Sequence, residues 1–119
     1  MKRYLAIFTG SPNAMSQWQT LPEHERQQRE AAGLKAWHDW AERHRGSIIE
    51  LGAPLGRTKS VSRAGITDIR NQMTGFSVVE AESHEAAARL FESHPHFTIF
   101  PGDGVEVMEC LPIPDRPAQ

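Results

Sequence analysis

Tyr4-Leu5-Ala6-Ile7-Phe8 is the stretch on which the fold turns. An unbroken apolar run of this length, closed by Gly10 and Pro12, reads as a strand that is greasy on both faces. Outward from it the chain alternates as strand, helix, strand, strand, helix, strand, the order of the ferredoxin-like βαββαβ motif. Right-handed crossovers place both helices on one face of the antiparallel four-stranded sheet. The other face of the first strand then needs a different cover: a second copy of the chain, a ligand cavity, or both.

The flanking segments fill in this α+β plan. Gly10 to Thr20 reads as a loop, with Met15 and Trp18 as candidate packing groups. Thr20, Pro22 and Glu23 make a helix start, with proline and acids in the first turn. The helix runs to about Arg45, with Leu34, Trp37, Trp40 and Ala41 as its apolar stripe, and Gly46 stops it. Ser47 to Leu51 is the second strand. Residues 57–71 form a long polar hairpin connection, with room for a short ribbon of its own. Met73 to Ala81 is the third strand. Ser83 caps a second helix, Glu85 to Ser93, which Pro95 ends. Val105 to Leu111 is the last strand. The domain so defined spans 1–112, and a proline-rich tail occupies 113–119.

Alternation in the last two strands separates the two faces of the sheet. Val105, Val107 and Leu111 point one way, and Glu106, Met108 and Cys110 the other; Phe76 and Val78 oppose Ser77 and Val79. One face is wholly apolar, and the second is mixed but too apolar for open water. Two such sheets stacked together would bury both. The alternatives are a plain packed dimer core and a dimer whose boundary holds a cavity.

Composition excludes several classes. A chain of 119 residues with 39% hydrophobic and 24% charged residues suits one globular domain. A net charge of -2 leaves no footprint for nucleic acid. The single cysteine, Cys110, forbids an internal disulfide and suits a reducing, cytoplasmic setting. The apolar run after Met1-Lys2-Arg3 is too short for a signal peptide, and nothing approaches the length of a membrane span. No phosphate loop, nucleophile triad or CxxC pair is present, so no cofactor is expected.

Leu51-Gly52-Ala53-Pro54-Leu55-Gly56, the Glu82-Ser83 helix start, His94-Pro95-His96 and Val105-Glu106-Val107 together resemble the YCII-related proteins, small dimeric α+β-barrel proteins. The resemblance extends from Lys2 to about Pro114. Trp37 and Trp40 resemble the subgroup with the His-Pro-His ending. It implies two sheets facing each other across a homodimer, with a cleft beside them. Some members carry a histidine at the start of the first helix and an aspartate in an Asp-Pro motif, taken as an acid/base dyad, and one relative is linked to dehydrochlorination of an aromatic ring. Here those places read Gly33-Leu34-Lys35 and His94-Pro95, so the dyad does not carry over.

His94 is the foremost candidate for a catalytic acid/base or anion-binding group, because a histidine at a helix C-terminus meets the negative end of the dipole. Its competing reading is a helix stop. His96, Trp37, Trp40 and Glu106 are the candidate ligand-binding residues, the tryptophans as an aromatic wall or simply as core. Two histidines two apart supply too few ligands for zinc, so no metal is expected. Arg57, Lys59, Arg63 and Arg70 read as a lid over an anionic ligand or as charges kept for solubility. The function expected is binding, and conceivably turnover, of a small aromatic or anionic molecule; the alternative is a non-catalytic dimeric interaction module with a closed core.

Overall fold

A computed structural model describes residues 1–114. The expected tail at 113–119 therefore lies mostly outside the described residues. Strand β1 (Lys2–Thr9) is followed by helices α1 (Pro12–Gln19) and α2 (Glu23–Arg43), a 3-10 turn (Arg45–Ser47) and β2 (Ile48–Pro54). A hairpin of β3 (Thr58–Ser62) and β4 (Gly65–Ile69) leads to β5 (Met73–Ala81). Helices α3 (His84–Arg89) and α4 (Pro95–Thr98) precede β6 (Gly104–Glu109). The four long strands form one antiparallel sheet in the order β2-β5-β1-β6, with β1 and β5 central. This is the ferredoxin-like order, so the α+β reading holds.

The two faces of the sheet are as different as the alternation demands. Tyr4, Ala6, Phe8, Ser77, Val79 and Ala81 are buried beneath the helices, against Trp40, Ala87 and Phe91. Leu5, Ile7, Phe76 and Val78 point the other way and are half-buried, and Met108 beside them is exposed. β1 thus has one sealed face and one apolar face that the single chain leaves open. Glu106 lies on that open face, opposite Ile7.

Four local readings are corrected. Gly10 to Thr20 is not a loop: Ser11 caps α1 by accepting the Ala14 N–H at 3.3 Å, with Pro12 in the first turn. Leu34 is not on the inner stripe. It is 66% exposed, and Gly33 is the buried residue, lying against the Phe100 ring. β2 runs on to Pro54 through two register shifts, and Gly52 sits within the second, between Glu50 and Ala53, at φ +80. A Cβ there would collide with the Phe76 carbonyl. The Ser77 hydroxyl donates to the Leu51 carbonyl across this irregularity and so keeps it satisfied.

The fourth correction matters most for chemistry. Ser83 does cap α3, accepting the Ala86 N–H at 3.0 Å, but the helix ends at Arg89. Ser93 then takes φ 57, and Pro95 opens a new helix rather than closing the old one. His94 is the N-cap of α4: its Nδ1 accepts the His96 backbone N–H at 3.0 Å. The helix-end dipole invoked for a protonated His94 is absent. Pro95 was read as a stop; the left-handed Ser93 breaks the chain direction before it and makes it a first-turn residue instead.

Candidate functional site

The turn that makes His94 a cap also separates the two histidines. His94 is fully buried, its ring edge-on to Trp37 and Trp40 at centroid distances of 4.5 and 4.6 Å, with Phe8 at 5.1 Å. Trp40 is itself locked by its indole N–H, which donates to the Leu90 carbonyl at 2.7 Å. With Nδ1 used as an acceptor, the neutral ring carries its proton on Nε2. That nitrogen is the one buried side-chain N or O without a partner among the described residues. Burial, reinforced by the nearby His96 and His44, brings the His94 pKa down to about 3. His94 is neutral at physiological pH and enclosed by rings.

His96 sits at the edge of this box. It is nearly buried, and its Nε2 donates to the Thr9 carbonyl at 2.7 Å, which fixes the proton on that nitrogen. Gly102 closes over the ring, where a Cβ would overlap Nε2, and its N–H donates to the His96 carbonyl at 3.0 Å. Burial lowers the His96 pKa, opposed by the Thr9 hydrogen bond and by Asp103. Nδ1 is left as a lone-pair acceptor. It has no partner among the described residues and is not sealed as His94 Nε2 is, and His96 borders the space in front of the box.

That space is a cavity of about 970 Å³. It lies where the C-terminal end of β1 meets α1, α2, the β2 irregularity and the turn after α4. Phe8, Trp37, Phe76 and Phe100 supply aromatic walls, and Met15, Leu34 and Leu51 aliphatic ones. Polar groups are few: Ser11, Thr74, His96, and the Arg70-Asn71-Gln72 segment that joins the hairpin to β5.

Of the residues singled out in the sequence, Trp37 and His96 line the cavity together. His94 and Trp40 stand behind them in the aromatic box. Glu106 is exposed on the open sheet face and does not border the cavity. Phe8, Phe76 and Phe100 were not singled out as wall residues, and Arg70 was named only as one of four cations of a lid or a solubilising loop. The Ser11-Pro12 cap signal would have brought Met15 to the site. Phe100-Pro101-Gly102, an aromatic followed by turn residues, was the available sign of a wall after α4. Among the described residues no cluster of His, Cys, Asp or Glu is arranged to hold a metal ion. No helix among the described residues is long and apolar enough to cross a membrane.

The fold is similar to that of 5-chloro-2-hydroxyhydroquinone dehydrochlorinase from Burkholderia phenoliruptrix, solved in complex with 2,5-dihydroxybenzoquinone. The TM-score is 0.49 at 19% sequence identity, over 88% of this chain and 89% of that one. No family model matches the chain, and no curated protein is significantly similar to it.

Proposed function

We propose that the protein binds a small planar organic molecule in this cavity, with the neutral His96 Nδ1 accepting a hydrogen bond from a hydroxyl or N–H of the ligand. One observation carries the reading: four aromatic residues line a cavity of about 970 Å³ whose wall also holds a histidine of defined tautomer. Apolar, concave walls with a few placed polar groups are the usual make-up of a ligand site. The same Nδ1 is suited to take a proton from an acidic hydroxyl, which makes His96 the acid/base residue of any turnover. His94 supports it from behind by holding the His96 backbone N–H, and Trp40 braces His94. This exchanges the roles first given to the two histidines.

The chain is further proposed to be a YCII-related dimeric α+β-barrel protein. Leu5, Ile7, Phe76, Val78 and Met108 form an apolar sheet face that a second copy would cover by stacking. Phe76 belongs to both that face and the cavity, so the partner would border the site. Sedimentation at micromolar concentration is expected to give a dimer.

Binding is tested by calorimetric titration with p-cresol and with its methyl ether, which keeps the ring and removes the donor. The cresol is expected to bind at least about tenfold more tightly, a difference of about 1.4 kcal/mol. Equal affinities would remove His96 as the recognising group. Failure of both to bind would leave the cavity without a ligand of this class.

A further inference from the structure

The cavity wall contains Arg70 and His96 but no aspartate or glutamate. Arg70 is its only formal charge among the described residues. Among the described residues Arg70 makes no ion pair, whereas Lys59, on the same hairpin, is neutralised by Asp68 at 2.7 Å. The four cations of residues 57–71 therefore do not act as one lid. Lys59 is spent within the ribbon, Arg63 lies in its tip, Arg57 stands outside the cavity wall, and of the four only Arg70 borders the cavity.

The backbone that carries Arg70 is fixed from both sides. Asn71 Oδ1 accepts the Met73 N–H at 2.9 Å, and its amide donates to Thr58 Oγ1 at 3.3 Å, which ties the foot of β4 to that of β3. The Gln72 carbonyl accepts the Gly10 N–H at 2.9 Å, which ties the same segment to the end of β1. Such bracing fixes the base of a side chain that borders the cavity, and its guanidinium has no carboxylate partner among the described residues. An unpaired guanidinium beside apolar walls favours a carboxylate, which it can meet with two parallel hydrogen bonds.

The geometry points to a hydroxylated aromatic carboxylate as the ligand class, its acid group held by Arg70 and its hydroxyl by His96. This rests on the reading that the cavity takes a planar hydroxylated ligand. It adds a charge requirement and a specificity-determining residue that the reading itself does not need. Hydroxycinnamates are suitable probes, since the cavity is larger than a single ring requires.

The experiment titrates trans-4-hydroxycinnamate and its methyl ester, at neutral pH, into the wild type, Arg70→Gln and Arg63→Gln. The wild type is expected to bind the acid at least about tenfold more tightly than the ester. Arg70→Gln should lose that preference while keeping its affinity for the ester, and Arg63→Gln should behave as the wild type. A wild type that binds the ester as well as the acid overturns the inference without folding entering the question. A preference that survives in Arg70→Gln, or disappears in Arg63→Gln, overturns it as well. If neither acid nor ester binds any of the three proteins, the failure belongs to the cavity reading itself, and the ligand class falls with it.

Discussion

The aromatic box around His94 and the cavity in front of His96 share Phe8 and Trp37 as a common wall, yet they impose opposite conditions on the same residue type. Behind the wall a histidine is enclosed, with one nitrogen used by the backbone and the other unpartnered. In front of it a histidine is pinned through Nε2 and keeps Nδ1 for use. Two positions of chain separate them, and the turn at Ser93 puts the first inside and the second at the border. A pair of histidines is therefore not a unit of chemistry: the backbone path between them assigns one to structure and one to the site.

Removing His94 tests the comparison most severely. His94→Ala leaves a void between Trp37 and Trp40 and strips the His96 N–H of its acceptor. A loss of about 3 kcal/mol of stability is expected, read by urea denaturation. Below the melting temperature p-cresol should still bind, since His94 does not border the cavity. A variant of unchanged stability that no longer binds would place His94 in the site after all.

Gly102→Ala attacks the other side. The added methyl must push the His96 ring away from Thr9, and overpacking of this kind costs about 2 kcal/mol. Affinity for p-cresol should fall together with stability, because the fixed tautomer is lost with the Thr9 bond. Loss of stability with affinity intact would show that the tautomer does not govern recognition.

Acid titration separates the regions by their protonation. An unfolded histidine takes up a proton as pH falls through 6.5, whereas folded His94 remains neutral until about 3. The unfolded state thus binds more protons throughout that window, and stability falls with falling pH. The loss attributable to His94 is about 1.4 kcal/mol per pH unit once its unfolded form is fully protonated. Between pH 6.5 and 5 carboxylates contribute little, but His96 and His44, which burial also lowers, add slope of the same sign, so the share of His94 is the difference between the slopes of the wild type and His94→Ala. Equal slopes in the two proteins would mean that water reaches the box.

How much of this was legible in the chain depended on whether neighbours or distant contacts set the outcome. Met73 to Ala81 was read to the residue, because alternation and the flanking polar residues are local signals. Ser83 was likewise legible as a cap. The split of α3 from α4 was not, since Pro95 is compatible with a stop and with a start, and the choice lies in one left-handed serine. The cavity was only partly visible: Trp37 and His96 stood out by type, whereas Phe8 looked like core and Phe100 carried no local signal of helix or strand. Arg70 was one cation of four until the hairpin paired Lys59 and carried Arg63 away.

Leu34 is the smallest effect and the finest discriminator between core and cavity wall. Its place at helical spacing with Trp37 and Ala41 assigns it to the core, but α2 is rotated so that Gly33 packs on Phe100 and Leu34 remains 66% exposed. A core leucine would cost several kcal/mol on truncation. Leu34→Ser should change stability by no more than about 0.5 kcal/mol in denaturant unfolding, as for a surface position. Because Leu34 lines the cavity, the same variant should bind p-cresol a few-fold more weakly. A large loss of stability would put α2 in the rotation that the periodicity alone implies, with Gly33 off the Phe100 ring. Unchanged stability and unchanged affinity would move the ligand away from the α2 side of the cavity, towards β2 and the foot of the hairpin.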